Sequence, residues 1–158
     1  MILDTLELVQ YNESLKDYAK QLLLDDNNRY VKQVEERLNK DNSNTVFDRG
    51  FLVKLQDKII GYLYFSPISN YRLYLEYSVL KNERNKGYGK LILNEATNYI
   101  LENYNIKKIM LDIDKSNLAS MNTAISCGYN YDDDTIGMND RIEFILDNPY
   151  FINKKNTR

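Results

Sequence analysis

The chain has 158 residues, 43% of them apolar and 28% charged, with 21 Lys and Arg against 23 Asp and Glu; this is the composition of one ordinary globular domain rather than of a disordered chain. A net charge of -2 offers no surplus of cations for a nucleic-acid footprint, and no apolar run reaches the ~18 residues that span a bilayer. With one cysteine and no histidine, an internal disulfide, a structural zinc site and all histidine-based nucleophilic or acid–base machinery are excluded, so no metal is expected. The start, Met1 to Glu7, lacks the basic-then-apolar order of a secretory signal; the expectation is a cytoplasmic protein without nucleic-acid or membrane partners.

Leu6, Leu8 and Val9 predict a first strand ending before Asn12, and Leu15, Tyr18, Ala19, Leu22 and Leu23 predict a helix over about Glu13 to Leu24. Val31, Val34 and Leu38 give a weaker helical stripe within Arg29 to Asn39, followed by a loop to Thr45. Phe51, Val53 and Leu55 alternate, Gln56 to Lys58 can turn, and Ile59 to Phe65 is rich in β-branched and aromatic residues, which predicts a hairpin ended by Pro67 to Asn70. Arg72 to Leu80 adds a third antiparallel strand, with Leu73, Leu75, Tyr77 and Val79 on one face and Tyr74, Glu76 and Ser78 on the other.

From Gly89 onward Leu91, Ile92, Ala96, Tyr99 and Ile100 repeat at helical spacing; Lys108 to Ile113 predicts a strand and Asn117 to Ser126 a short helix closed by Gly128. A last strand pair is expected around Tyr129 to Asp132 and Arg141 to Leu146, joined by the polar Asp133 to Asn139. The expected architecture is a single α/β (α+β) domain over 1–148 with a tail over 149–158. It has one mixed, mostly antiparallel sheet of about six to seven strands, flanked by about four helices.

The sharpest local signal is Arg84-Asn85-Lys86-Gly87-Tyr88-Gly89, entered by a strand and left by a helix. Gly87 and Gly89 lack Cβ atoms, so the backbone can approach a pyrophosphate and turn its N–H groups inward. The helix start adds unpaired N–H groups and a positive dipole end, and Arg84, Lys86 and Lys90 add full charges. A dinucleotide-binding turn would need a third glycine where Ile92 stands, and a nucleotide P-loop would need Gly-Lys-Ser/Thr. A coenzyme pyrophosphate at the start of the helix is what remains.

In these residues the chain resembles the GNAT superfamily of N-acetyltransferases, whose hallmark is Arg/Gln-x-x-Gly-x-Gly/Ala after a strand ending in Val. Val79, Asn117 and Gly128-Tyr129 stand at the matching spacings, with Ser120 in place of a frequent Ala, and the resemblance is specific from about Leu73 to Tyr129. It implies the GNAT fold and acetyl-CoA as co-substrate. The pyrophosphate would lie on Arg84, Asn85, Lys86, Gly87, Tyr88, Gly89 and Lys90. The pantetheine would pair with Val79, Leu80 and Lys81 in a notch between splayed strands, with Asn117 and Ser120 beside it.

A β-bulge on the strand ending at Val79 would aim an N–H at the thioester oxygen. The implied reaction is direct attack of a primary amine, from a small molecule or a peptide, on the thioester in a ternary complex. A homodimer is a further expectation from the resemblance.

Ala124 stands where the family often has a Tyr that protonates the departing thiolate, so either another group protonates the sulfur or the thiolate leaves unaided. That replacement supports the alternative of a CoA-binding regulatory module with weak or no transfer. Tyr129 takes the position of a core aromatic. Glu76 and Asp112 are the candidate general bases, each open to a plainer reading as an outward, ion-paired strand residue. Cys127 fits a small buried residue better than a nucleophile, and the acceptor is not legible.

Overall fold

In a computed structural model of the chain, residues 1–25, 36–40, 46–132 and 140–153 are described. One seven-stranded sheet carries the fold: β1 (Leu6–Val9), β2 (Arg49–Leu55), β3 (Lys58–Ser69), β4 (Arg72–Val79), β5 (Lys108–Asp114), β6 (Asn130–Tyr131) and β7 (Arg141–Asp147), in the order β1-β2-β3-β4-β5-β7-β6. Among the described residues all pairings are antiparallel except β4 with β5. The helices are α1 (Lys16–Asp25), α2 (Tyr88–Asn103) and α3 (Leu118–Ser126), and residues 36–38 are also helical. The expected mixed, mostly antiparallel sheet is therefore present, with its parallel junction between β4 and β5.

Alternation along the strands sorts the side chains into two faces. Leu63, Phe65, Leu73, Leu75, Ile109, Leu111 and Phe144 pack against Ile92, Leu93, Ala96 and Ile100 of α2 and Met121 and Ala124 of α3. Each such large side chain taken out of water contributes about 1.5–3 kcal/mol. On the other face a smaller cluster gathers Leu38, Leu52, Ile59, Tyr62, Tyr64 and Leu80. Tyr129 is buried in the main core and its hydroxyl shares a 2.7 Å hydrogen bond with Thr97, which fits the expected structural role.

Several sequence expectations shift. The first helix does not start at Glu13: Glu13–Leu15 is a 3₁₀ turn and α1 begins at Lys16. Most of the stripe from Arg29 to Asn39 lies outside the described residues, as do 41–45 of the following loop and the 133–139 connection. β3 ends at Ser69, within the expected Pro67 to Asn70 stop. Pro67 itself is still paired with Leu73, beside a register slip where a residue without an N–H is tolerated.

The bulge also lies elsewhere. Pairing of β4 with β3 is unbroken from Leu73 to Val79, whereas β3 carries an extra residue where Val53 pairs with Gly61 but Lys54 pairs with Ile59. That insertion reverses the alternation, so Ile60 joins the main core while Ile59 turns to the small one. Gly61 is required there, since a Cβ on it would stand 2.3 Å from the Ser78 carbonyl oxygen.

Two long-range ties complete the frame. Glu95 of α2 is buried, and its Oε1 accepts the backbone N–H groups of Asp4 at 3.0 Å, Thr5 at 2.6 Å and Leu6 at 3.0 Å. After β7, Asn148 donates to the Ile106 carbonyl at 2.7 Å, and the Phe151 ring meets the Tyr71 ring edge-on at 5.1 Å. The first residues of the expected tail are thus docked on the domain.

Candidate active site

β4 and β5 pair only through Arg72–Lys108, Leu73–Ile109 and Tyr74–Met110, and then part. A cleft of about 1110 Å³ opens at this divergence, bounded by the ends of both strands, the turn before α2 and the start of α3. The expected splayed notch is therefore present. A sheet that opens in this way exposes backbone groups that a linear ligand with amides can pair with.

The turn is built by local backbone geometry. After Val79 the chain makes a 3₁₀ turn, Lys81–Glu83, then Asn85 takes φ 64° and Gly87 φ 79° before α2 begins. Asn is among the few residues with a Cβ that tolerate this left-handed region, and Gly adopts it without penalty. A Cβ on Gly87 would meet nothing within 4 Å, so it would project into open space, and Gly87 lines the cleft. A Cβ on Gly89 would face Tyr77 at 3.5 Å and Val79 at 3.8 Å, ordinary contact distances, on the side where α2 meets β4.

Arg84 and Lys86 at the turn are held rather than loose. Arg84 Nε donates to the Val79 carbonyl at 3.1 Å, bracing the strand end against the turn. Glu83 is buried and paired with Lys58 at 2.5 Å and Lys86 at 3.1 Å; the Lys58 ammonium, and after it Lys86, hold its carboxyl below the usual range.

Val79, Arg84, Asn85, Gly87, Tyr88, Gly89, Lys90, Asn117 and Ser120 line the cleft, and so do Glu76 and Asp112. Leu80, Lys81 and Lys86 are not among the lining residues: Leu80 is buried in the small core with its N–H given to the Ile60 carbonyl at 2.9 Å. Asn117 caps α3, its Oδ1 accepting the Ser120 N–H at 3.1 Å, so it orients that helix. Asp114 fixes the preceding turn by accepting the Ser116 N–H at 2.8 Å, a bond that with the Ser116 hydroxyl lowers its carboxyl below the usual range.

The sheet face turned away from α2 and α3 forms the other half of the cleft. Tyr64 pairs with Glu76 and Tyr62 with Ser78 across β3 and β4, while two residues beyond the Tyr74–Met110 pair stand Glu76 and Asp112, on the same face at the same level. Neither carboxylate stands alone. Glu76 is ion-paired with Arg37, whose guanidinium lies 4.1 Å from the centre of the Tyr64 ring, and Asp112 accepts from Arg141 Nε at 3.0 Å. Tyr74 donates to Glu143, and burial, then that carboxylate, pushes its hydroxyl pKa up. Tyr62 is 1% exposed, and burial likewise pushes its pKa up.

Sequence reading missed Tyr62, Tyr64, Tyr74, Arg37 and Arg141. Tyrosines alternating in a strand look the same whether they line a cleft or a half-buried sheet. Ala124 is fully buried and Tyr131 is exposed against Phe144. Tyr77, with its hydroxyl buried, lines the cleft beside α3. Burial raises the Cys127 thiol pKa, the opposite of what a nucleophile needs. Among the described residues, no group of three or more His, Cys, Asp or Glu is placed to hold a metal ion, and no helix is long and apolar enough to cross a membrane.

A strand that parts from its parallel neighbour over a glycine turn and a helix start is an arrangement able to receive a phosphate-bearing ligand in the opening. The sequence model of the acetyltransferase (GNAT) family matches residues 10–129. The chain therefore belongs to the GNAT acetyltransferase family and is by class an acyltransferase. Its structure is similar to the spermidine N-acetyltransferase of Vibrio cholerae in complex with CoA and spermine, at 18% identity over 91% of this chain and 96% of that one, with a TM-score of 0.71. It is also similar to the N-acetyltransferase PseH of Campylobacter jejuni in complex with acetyl coenzyme A, at 19% identity over 90% and 98% of the two chains, with a TM-score of 0.63. No curated protein matches the chain.

Proposed function

We propose that the chain transfers an acetyl group from acetyl-CoA to a primary amine by direct attack in a ternary complex, as one acetyltransferase domain over 1–148. The observation that carries this reading is the coincidence, in one cleft, of the positive-φ turn at Asn85 and Gly87, the parting of β4 from β5, and a second wall bearing Glu76 and Asp112. The α2 N-terminus, with Arg84 and Lys90, would receive the pyrophosphate. The pantetheine would lie in the notch beside Val79, Asn117 and Ser120, with its thioester directed toward the carboxylates.

In the reaction the amine nitrogen bonds to the thioester carbon and the carbon–sulfur bond breaks with its electron pair on sulfur. An ammonium acceptor loses one proton before attack, to Glu76, Asp112 or water, and a second afterwards, which neutralises the thiolate. With Ala124 buried, no side chain of α3 at that position gives this proton. A thiol of pKa about 8.5 is a fair leaving group near neutral pH, so transfer does not demand one.

The test is thiol release from acetyl-CoA across a broad panel of amines, with mass analysis of each acceptor. The expected result is amine-dependent thiol release and a product heavier by one acetyl group. Binding of acetyl-CoA without transfer to any amine would favour the regulatory-module alternative that Ala124 raises.

A further inference from the structure

The acceptor wall does not look like a trap for a polycation. Of the carboxylates that line the cleft on this face, Glu76 and Asp112 are each already matched with a guanidinium, Arg37 and Arg141, while Asp114 is engaged by Ser116. A bare amine bound there would compete with fixed cations for both anions and lie beside two like charges. Arg37 is held in place twice, by Glu76 and by stacking over Tyr64. Its planar fork is the group that recognises a carboxylate with two parallel bonds. Beside it, the hydroxyl of the buried Tyr62, which also lines the cleft, interacts with the Arg37 guanidinium, a donor only, and donates to no acceptor among the described residues. What its O–H lacks is an oxygen acceptor.

An ion pair inside a binding cleft is opened at least cost by a ligand that brings both signs. We propose that the acceptor is a small zwitterion, an amino acid whose carboxylate engages Arg37 while its ammonium engages Glu76. Because Arg37 and Glu76 touch each other directly, the two charges of the ligand lie within a few bonds. Tyr64 and Tyr62 then form the wall against which its side chain rests. Each ion exchanges one partner for another, so no charge in the cleft is left unmatched. The exchange also frees Glu76 from the guanidinium and places it against the ammonium whose proton must leave, after which the amine attacks the thioester with the bonds and protons accounted for above.

This inference rests on the acetyl-transfer reading, and two measurements keep their failures apart. Calorimetry with acetyl-CoA tests the donor site alone. Thiol release with L-amino acids, each paired with its own amide, and with spermidine tests the acceptor. The amide keeps the ammonium and loses the carboxylate, so the best amino acid is expected to exceed both its amide and spermidine in kcat/KM by about tenfold or more. In Arg37→Lys, which keeps the charge and loses the fork, the acid-to-amide ratio is expected to fall below about threefold, chiefly through KM.

Acetyl-CoA binding with an amide or spermidine turned over as well as the amino acids would overturn the zwitterion and leave the donor reading standing. So would binding with no amino acid turned over, or a ratio that survives in Arg37→Lys. Absence of acetyl-CoA binding would overturn both. Should the variant not fold, the wild-type ratio decides.

Discussion

The two walls of the cleft are made in opposite ways. The donor wall is local: eleven consecutive residues from Val79 to Gly89 provide the strand end, the 3₁₀ turn, both left-handed residues and the helix start. Two of its cations are tied to neighbours in sequence, Arg84 to Val79 and Lys86 to Glu83, which Lys58 of β3 also holds. The acceptor wall is assembled from strands β3, β4, β5 and β7 and from Arg37, which is 39 positions away from the Glu76 it pairs with. A local site depends on backbone conformation, and a dispersed one on side-chain charges. The first should therefore fail when a Cβ is added and the second when a charge is removed.

The largest expected effect is on the donor wall. Gly87→Val puts a branched side chain at a φ of 79° and into the open space of the turn, and is expected to weaken CoA binding at least about 100-fold, or ~2.7 kcal/mol. Calorimetry with CoA checks it; affinity within a few-fold of wild type would place the pyrophosphate elsewhere. Next comes the junction of the two walls. Gly61→Ala forces a Cβ to within 2.3 Å of the Ser78 carbonyl, so β3 and β4 must separate, at a cost of about 1–3 kcal/mol in denaturant unfolding. An unchanged midpoint would mean that the bulge relaxes freely.

On the acceptor wall, Glu76→Gln keeps the shape and removes the charge, and is expected to lower kcat by about tenfold or more with acetyl-CoA affinity unchanged. Asp112→Asn measured alongside ranks the two carboxylates. Losses below about tenfold in both would make water the proton acceptor.

The smallest effect is on acid stability. Because Lys58 and Lys86 hold the Glu83 carboxyl below its ordinary value, this group stabilises the fold above its unfolded pKa of about 4.3 and the contribution is lost as pH falls through the folded value. Thermal melts of Glu83→Gln should lie below wild type at neutral pH, and the gap should close as the medium becomes acidic. A gap that stays constant would show that the bracket acts through packing rather than charge.

The same contrast decides what the sequence could reveal. Alternation at Phe51, Val53, Leu73 and Leu75 and helical spacing at Ile92, Ala96 and Ile100 are short-range signals of burial, so the strands, α2 and the sheet order around the turn are readable from them. Arg-x-x-Gly-x-Gly is readable because conformation is a property of consecutive residues. The stop over Pro67 to Asn70 is readable for the same reason, and β3 ends within it at Ser69. Arg37 on Glu76, Arg141 on Asp112 and Glu95 on the backbone of Asp4 to Leu6 leave no local trace. Each is decided by how the sheet brings distant positions together. The bulge shows the limit most sharply, since one inserted residue at Ile60 moved it from the strand expected to carry it to the neighbouring one.

The most direct measurement is calorimetric titration of the whole chain with acetyl-CoA in the absence of any acceptor. The structure predicts saturable binding at one site with a Kd well below 1 mM, tighter than about -4 kcal/mol. No heat of binding up to that concentration would contradict the assignment of the cleft to the acetyl donor.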